Sequence, residues 1–296
     1  MILIIESGST KSDWVLVENG EISKRYKTMG FNPFFHNETI IFNSIRQNSD
    51  LRGIAKTVSQ VFFYGAGCSS VELNSIVQKA FSRLFINATI NVDHDLLACA
   101  LATYQGEPSI SCILGTGSNS CLFDGENLIE AVPALGYILG DEGSGSYYGK
   151  KLLADYLYNK LPKEIQIDFE EIFKFDKNNI FDNVYMKPHA NVFLASFMRF
   201  IAKYKEHDYV DSMLKNGMKH FLENHVCCFE NHRELKVHFI GSMSYIFQEQ
   251  LKFAANELNI STLIEVHTAK EAEQAMSFEN SLIGINNRNL DTLKIS

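Results

Sequence analysis

Two glycine-containing turns, each entered from a short apolar strand, are the segments of this sequence that could bind a phosphate chain. The first is Gly8-Ser9-Thr10-Lys11 and the second is Gly115-Thr116-Gly117-Ser118. Backbone N–H groups that no bulky Cβ covers bind anionic oxygens, and the hydroxyls of Ser and Thr do the same. Two such turns, one from each half of a duplicated fold, could grip a polyphosphate from opposite sides. The first hypothesis is therefore a cleft that binds ATP.

A carboxylate for proton transfer is the second requirement of such chemistry. Asp95 lies where a predicted strand ends and a predicted helix begins, a place from which a carboxylate can act as a general base. Asp93 is the second choice for that role. An aspartate before a helix is also a favoured N-cap, and a glycine turn is often only a turn. The motifs around both features decide between these interpretations.

The elements that must position these residues follow a repeated order. The sequence predicts the following elements in its first part: strands at 2–6, 12–18 and 21–28, a helix at 37–48, a strand at 59–64, a helix at 70–85 with a Ser69-x-x-Glu72 capping box, a strand at 88–92 and a helix at 96–104. The signals break around Gly106-Glu107-Pro108. We therefore expect an N-terminal domain over 1–107 and a C-terminal domain over 108–296.

The second part repeats the opening of the first. It is predicted to contain strands at 110–114, 119–123 and 127–132, mainly helices to about 230, a strand at 236–240, a helix at 244–258, a strand at 262–267 and a last helix at about 270–286. The order of strands and helices indicates an α/β fold. The helices before 230 form an insertion in the repeated unit.

Composition excludes several classes of function. The 35 acidic and 27 basic residues give a net charge of -8, and no basic stripe is present, so nucleic acid is not an expected partner. No apolar stretch is long enough for a signal peptide or a membrane span, and we expect a cytoplasmic protein without a membrane partner. The six cysteines form no C-x-x-C pair, which argues against a disulfide framework and against a zinc or iron-sulfur site.

Six motifs occur in order along nearly the whole chain. They are Gly8-Ser9-Thr10-Lys11, Gly30-x-Asn32-Pro33, Tyr64-Gly65-Ala66-Gly67-Cys68, Leu114-Gly115-Thr116-Gly117-Ser118-Asn119-Ser120, Gly136-x-x-x-Gly140-Asp141-Glu142-Gly143-Ser144-Gly145, and Ile240-Gly241-Ser242. Together they resemble the N-acetylglucosamine kinases of the BadF/BadG/BcrA/BcrD type, in the sugar kinase, Hsp70 and actin superfamily. This resemblance implies a duplicated ribonuclease-H-like, actin-like ATPase fold whose two domains enclose a cleft.

The resemblance also implies a role for each motif. The two glycine turns would hold the β and γ phosphates of ATP, and Asp95 would accept the proton of the sugar 6-hydroxyl. Glu6, which stands where the family usually has Asp, would contact Mg²⁺ through a water molecule. Adenosine would be bound by Gly241 and Ser242, and the amino sugar by Asn32, Gly67 and Asp141. The last helix would pack back near the hinge, and a homodimer is compatible with the family.

Three alternatives remain open at this point. The acceptor could be N-acetylmuramic acid or glucosamine, because one sequence does not reveal the acyl or lactyl pocket. A non-kinase ATPase, similar to the activators of dehydratases, would share the nucleotide cleft, but those activators hold an iron-sulfur cluster through paired cysteines. A sugar-sensing repressor is disfavoured because the first strand begins at residue 2, which leaves no room for a helix-turn-helix.

Overall fold

The computed structural model describes residues 1–260 and two strands at 263–266 and 282–285. The chain divides into two units. Unit 1 contains Met1–Ala102 and a short segment from much later in the sequence, Lys187–Val192, which we call the docked segment. Unit 2 contains Thr103–Met186 and Phe193–Ser296. The grouping of the docked segment with unit 1 is a feature that the sequence did not predict.

Unit 1 is an α/β unit built on one five-stranded sheet. Its elements are β1 (Ile2–Ser7), β2 (Lys11–Glu18), β3 (Glu21–Met29), α1 (Glu38–Gln47), α2 (Ser49–Ile54), β4 (Gln60–Gly65), α3 (Val71–Ser82), β5 (Thr89–His94) and α4 (Asp95–Thr103). The strand order is β3-β2-β1-β4-β5. The first three strands are antiparallel, and β4 and β5 run parallel to β1.

Alternating apolar residues explain why this sheet forms. Leu3 and Ile5 of β1 and Trp14 and Leu16 of β2 are buried, while the residues between them are more exposed. The indole of Trp14 stacks on Phe81 of α3 at a centroid distance of 5.6 Å. The tight turn at Asn19-Gly20 has positive φ at both residues, as a two-residue hairpin requires. Helix α3 is capped by Ser70, whose hydroxyl accepts from the N–H of Leu73, so the predicted cap at Ser69 was wrong by one residue.

Unit 2 begins with the same kind of antiparallel strands. Its elements up to residue 257 are β6 (Ser109–Leu114), β7 (Ser118–Phe123), β8 (Leu128–Ile129), α5 (Gly136–Leu139), α6 (Gly145–Leu157), α7 (Lys163–Phe173), α8 (Lys177–Phe181), a π-helical turn (Asp182–Met186), the end of α9 (Ala190–Ala195), α10 (Met198–Lys203), α11 (Asp208–His225), β9 (Lys236–Ile240), α12 (Ser242–Ile246) and α13 (Gln248–Glu257). The first three residues of α9 belong to the docked segment. The predicted helix at 244–258 is thus interrupted at Phe247, where α12 ends and α13 begins.

The described part of unit 2 repeats unit 1 incompletely. Its sheet has the order β8-β7-β6-β9, with β9 parallel to β6 as β4 is parallel to β1. In unit 1 the corresponding strand β4 is covered by β5, whereas β9 stands at the edge of the four-stranded sheet among the described residues. The core of unit 2 lies where α6 and α11 pack together, and the hydroxyl of Tyr148 donates to the carbonyl oxygen of Leu214 at 2.8 Å.

Two further strands follow α13. These are β10 (Leu263–Val266) and β11 (Leu282–Ile285), which pair with each other in parallel. The predicted strand at 262–267 agrees with β10. The predicted last helix at 270–286 is wrong at 282–285, which form β11, and its remaining part lies outside the described residues. Among the helices that the structure describes, none combines the length and the apolar character needed to cross a lipid bilayer.

Candidate functional site

The first glycine turn joins β1 to β2 and is closed by its own backbone. The N–H of Gly8 donates to the carbonyl oxygen of Lys11 at 3.0 Å, and the N–H of Gly30 donates to that of Thr10 at 3.2 Å. The second bond connects the turn to the end of β3. The turn that we expect to hold phosphate therefore has a defined backbone and rests against a neighbouring segment.

Two buried serines in the strands on either side of this turn stabilise it, and the sequence analysis missed them. The hydroxyls of Ser7 and Ser12 are 2.6 Å apart. Ser7 Oγ accepts from the N–H of Phe31 at 2.8 Å, and Ser12 Oγ donates to the carbonyl oxygen of Met29 at 3.0 Å. The alternation of β1 was the available signal, because it places Ser7 on the same face as the buried Leu3 and Ile5.

Polar side chains of four strands form one row across the sheet of unit 1. In the strand register, Glu6 stands opposite Asp13 on one side and Tyr64 on the other, and Tyr64 stands beside Asp93. Residues in register on adjacent strands project from the same face. Burial and the charge of Asp93 raise the pKa of Tyr64. The row therefore contains three carboxylates, those of Asp13, Glu6 and Asp93, and Lys27 of β3 stands at its end opposite Asp13.

Asp95, the expected general base, is close enough to this row to affect it. The pKa of Glu6 is raised to about 7, first by restricted solvation within the row and then by the charges of Asp95 and Asp13, against the opposing effect of Lys11. The carboxylate of Asp95 itself is mostly buried, with 17% of the side chain exposed, and its Oδ1 lies 3.1 Å from Nδ1 of His94. The same nitrogen accepts a hydrogen bond from the N–H of Leu96 at 3.1 Å.

Asp93 accepts a hydrogen bond from a neighbouring residue, and Lys11 forms an ion pair with another. Oδ1 of Asp93 accepts from the N–H of His94 at 2.8 Å. The ammonium of Lys11 is 2.6 Å from Oδ2 of Asp13 and is largely exposed. A phosphate ligand of Lys11 would therefore compete with Asp13 for this cation.

The loop after β3 brings Asn32 to the first glycine turn. The side-chain amide of Asn32 donates to Ser9 Oγ at 3.3 Å, and its Oδ1 accepts from the N–H of Phe34 at 3.0 Å. Gly67 has a positive φ of 82° and approaches Asn32 so closely that a Cβ there would overlap Oδ1. Unit 1 therefore unites the phosphate turn with two of the three residues expected to bind sugar.

The second glycine turn, between β6 and β7, is held by the first two residues of α6. The N–H of Gly145 donates to the carbonyl oxygen of Gly115 at 2.8 Å, and that of Ser146 to Thr116 at 3.1 Å. Ser118 donates from its backbone N–H to Oδ1 of Asp141 at 3.3 Å. Asp141, expected at the sugar, thus lies directly against the phosphate turn of unit 2 in this arrangement.

Asp141 occupies an unfavourable setting for a carboxylate. Its φ of 59° is left-handed, and burial raises its pKa to about 6 despite hydrogen bonds from Ser118 and Ser146. Because the pKa is higher in the folded chain than in the unfolded one, the native state binds more protons between these two values. The contribution of Asp141 to the free energy of unfolding is therefore fully present below about pH 4 and is lost as the pH rises through about 6.

We therefore expect Asp141→Asn to stabilise the protein at pH 8 by about 1 to 2 kcal/mol, after allowance for solvent screening. The gain should vanish near pH 4, and thermal unfolding at the two pH values measures it. Asp124→Asn is the matched control, because backbone N–H groups of Asn127 and Glu126 lower the pKa of Asp124. That variant should lose stability at pH 8. An effect of Asp141→Asn on stability that does not change with pH would contradict the raised pKa of Asp141.

Gly241 and Ser242, the residues expected at adenosine, lie beside the second glycine turn. Gly241 precedes α12 with a φ of 120°, and a Cβ on it would overlap the carbonyl oxygen of Leu114, the last residue of β6. The carbonyl oxygen of Gly241 accepts from Ser244 Oγ at 2.8 Å. Unit 2 therefore brings its phosphate turn, Asp141 and Gly241 together.

Neither unit shows a ready-made metal cage or a disulfide in its described part. Within residues 1–260, no group of three or more His, Cys, Asp or Glu side chains converges as a metal-binding set. All six cysteines are free thiols in the structure. Burial, followed by the charges of Asp95 and Asp93, raises the pKa of Cys68 to about 12, so this thiol stays protonated.

Comparison with solved structures relates this fold to sugar kinases. A provisionally named N-acetylglucosamine kinase from Porphyromonas gingivalis is 35% identical, with a TM-score of 0.83, and the match covers 89% of this chain and 94% of that one. A second one, from Chromobacterium violaceum, is 14% identical with a TM-score of 0.64 and covers 88% and 93%. A ROK family glucokinase from Streptomyces griseus, in complex with glucose and AMPPNP, is 16% identical with a TM-score of 0.54 and covers 88% and 90%. The last two show likeness of fold alone.

The C-terminal residues are similar to a different family. The model of the indole-3-glycerol phosphate synthase family matches residues 237–296. Among curated proteins, the indole-3-glycerol phosphate synthases of Polynucleobacter necessarius and Chromobacterium violaceum are 48% and 44% identical over 48 and 46 residues. Each match covers 16% of this chain, and the chain spans 18% and 17% of the two synthases. The chain therefore spans less than a fifth of the curated relatives that it matches.

Proposed function

We propose, on the premise that this chain belongs to the family of the Porphyromonas gingivalis sugar kinase, that it transfers the γ-phosphoryl group of ATP to an amino sugar. The acceptor atom is the 6-hydroxyl of N-acetylglucosamine or of a close relative. Within the superfamily we assign the chain to the BadF/BadG type on its six motifs. The proposal rests on residues 1–260, of which 237–260, with Gly241 and Ser242, overlap the segment similar to indole-3-glycerol phosphate synthase.

The observation that carries this proposal is the pair of phosphate turns, one in each unit. Both turns join the first two antiparallel strands of a sheet, and both are held by hydrogen bonds to a following glycine, Gly30 in unit 1 and Gly145 in unit 2. A hairpin that served only to reverse the chain would need neither the hydroxyl residues nor a second copy. Each turn supplies backbone and hydroxyl donors to the phosphate chain of ATP.

Asp95 is the general base of the proposed reaction. Its carboxylate takes the proton of the sugar 6-hydroxyl as that oxygen forms a bond to the γ-phosphorus, and the bond from phosphorus to the bridging oxygen of ADP breaks. The burial of Asp95 in unit 1 limits competition from water for this proton. Asn32, Gly67 and Asp141 are assigned to the sugar, and Gly241 and Ser242 to adenosine.

The residues around Glu6 fit the Mg²⁺ that accompanies ATP. Restricted solvation raises the pKa of Glu6, and repulsion from the nearby carboxylates of Asp95 and Asp13 raises it further. A divalent cation nearby would relieve this repulsion. We assign Glu6 to the metal through a water molecule. When bound, Mg²⁺ neutralises charge on the phosphate oxygens.

The experiment that tests this function measures ADP release by the purified protein with MgATP. The panel of acceptors is N-acetylglucosamine, N-acetylmuramic acid, glucosamine, N-acetylmannosamine and glucose, and mass spectrometry identifies the phosphorylated product. We expect one acetylated amino sugar to give the highest kcat/KM. Phosphorylation of N-acetylmuramic acid or glucosamine instead would correct the acceptor and keep the kinase.

A non-kinase ATPase is the remaining alternative, and the same assay separates it. Such a protein would bind ATP and release ADP at a rate that none of the sugars changes. Product analysis is decisive here, because stimulated hydrolysis and true transfer both release ADP. Absence of any sugar phosphate with every acceptor would overturn the proposed function.

A further inference from the structure

The docked segment (Lys187–Val192) packs on the loop that carries Asn32. In sequence it lies between residues of unit 2, yet it groups with unit 1. The ring of His189 is 5.1 Å from that of Phe35 and 5.2 Å from that of His36, measured between centroids. His189 therefore contacts two side chains that follow Asn32 closely along the chain.

His36 links this contact to Asn32. The imidazole of His36 is buried, and its Nδ1 accepts from the N–H of Asn32 at 3.3 Å. In the opposite direction, the N–H of His36 donates to the carbonyl oxygen of Asn32 at 2.9 Å. Because Nδ1 acts as an acceptor, the ring is neutral here and carries its proton on Nε2. A displacement of this ring would break a hydrogen bond to the backbone of Asn32.

The docked segment keeps two features that cost stability. His189 has a left-handed φ of 63°, which disfavours residues with a Cβ. Asn191 is buried, and its Oδ1 has no hydrogen-bond partner in the described part of the chain. Unfavourable features persist where the surroundings enforce them, and they concentrate at functional sites.

We propose that His189 is a positioning residue for the acceptor sugar, which acts through His36 to hold Asn32. The inference rests on the proposed function, because that function assigns Asn32 to the sugar. Asn32 also donates to Ser9 Oγ in the phosphate turn. The backbone hydrogen bonds of Gly8 and Thr10 do not involve Asn32, so a misplaced Asn32 weakens sugar binding and leaves the backbone of the turn in place. The expected signature is a change in the KM for sugar alone.

Two substitutions at this position separate the ring from the backbone. His189→Asn removes the ring and retains a side chain that tolerates left-handed φ. His189→Phe retains a ring against Phe35 and His36. We expect His189→Asn to raise the KM for the sugar about tenfold, with kcat and the KM for MgATP within about twofold of wild type. His189→Phe should keep the KM for the sugar near its wild-type value and lose some stability, because a bulky side chain is disfavoured at a left-handed φ.

A third substitution tests the path through His36. His36→Phe keeps a ring against His189 and loses the acceptor for the N–H of Asn32, so it should raise the sugar KM by itself. Combined with His189→Asn, it should add little, because both variants release the same loop. Additive effects on the KM for the sugar would overturn the path, even if both single variants were impaired.

The outcomes distinguish this inference from the proposed function. If the wild-type protein phosphorylates no sugar on the panel, the proposed function fails and the inference fails with it. If wild type is active and His189→Asn leaves the sugar KM unchanged, the inference alone fails. A parallel rise in the KM for MgATP, or a loss of cooperative thermal unfolding in His189→Phe as well as His189→Asn, would assign His189 a purely structural role and also overturn the inference.

Discussion

Asp95→Asn is expected to lower kcat for sugar phosphorylation by about 10²- to 10⁴-fold, while the KM for the sugar stays near its wild-type value. Asparagine matches aspartate in size and still accepts hydrogen bonds, but its amide does not take up the hydroxyl proton. The side chain at this position is mostly buried at the start of α4, so an isosteric substitution is needed to preserve packing. Initial rates of ADP release at saturating MgATP give both constants.

Asp93→Asn is the matched control for this prediction. Asp93 stands two residues earlier, is exposed, and already accepts a hydrogen bond from the N–H of His94. We expect less than about a threefold change in kcat, because this carboxylate takes no part in the proposed transfer. The reverse pattern, with Asp93→Asn inactive and Asp95→Asn active, would move the base to Asp93. Wild-type turnover in both variants would exclude both assignments.

The sequence predicted the main strands of each unit well because period-2 apolar patterns and turn residues carry that information. The three opening strands of unit 1 and the strand at 236–240 agree with the structure. Ends and short elements were less accurate. The cap of α3 is Ser70 rather than Ser69, because adjacent serines are equivalent in sequence and only the backbone selects one. Strand β8 is limited to Leu128–Ile129, within a longer predicted strand.

The arrangement of site residues could be predicted only in part. The motif pattern drew attention to both glycine turns, and the structure brings Gly241 to the second turn and Asn32 to the first. The motif pattern could not reveal that Asp141 accepts a hydrogen bond from the second turn, because that contact depends on the left-handed backbone of this residue. The packing of the docked segment could not be predicted either, because the residues that it contacts, Phe35 and His36, lie about half the chain away in sequence.

The error at the last predicted helix has a separate cause. The sequence pattern predicted that helix, and the resemblance to kinases implied only that it packs near the hinge, whereas residues 237–296 match the family model of indole-3-glycerol phosphate synthase. The packing near the hinge therefore has no support from the family model that matches this segment. Residues 282–285 accordingly form a strand parallel to Leu263–Val266.

Gly30→Ala is expected to produce the second large effect, a rise of at least about 30-fold in the KM for MgATP. A Cβ on Gly30 would overlap the carbonyl oxygen of Gly8 and would lie 2.7 Å from the carbonyl carbon of Ser9 and 2.8 Å from the backbone nitrogen of Thr10. All three are backbone atoms of the first phosphate turn, so no side-chain rotation can relieve the overlap. The turn must move away, and its bond from Gly30 N–H to Thr10 breaks.

The loss of stability should accompany the loss of affinity. We expect Gly30→Ala to lower the free energy of unfolding by about 1 to 3 kcal/mol relative to wild type, the cost typical of overpacking, and urea denaturation measures it. Gly53→Ala is the matched control: a Cβ at Gly53, within α2, would meet no atom within 4 Å. That variant should keep its KM for MgATP and gain about 0.5 to 1 kcal/mol from helix propensity. If Gly30→Ala is destabilised but binds MgATP normally, the position of the first turn does not determine nucleotide affinity, and the assignment of Gly8–Lys11 to phosphate fails.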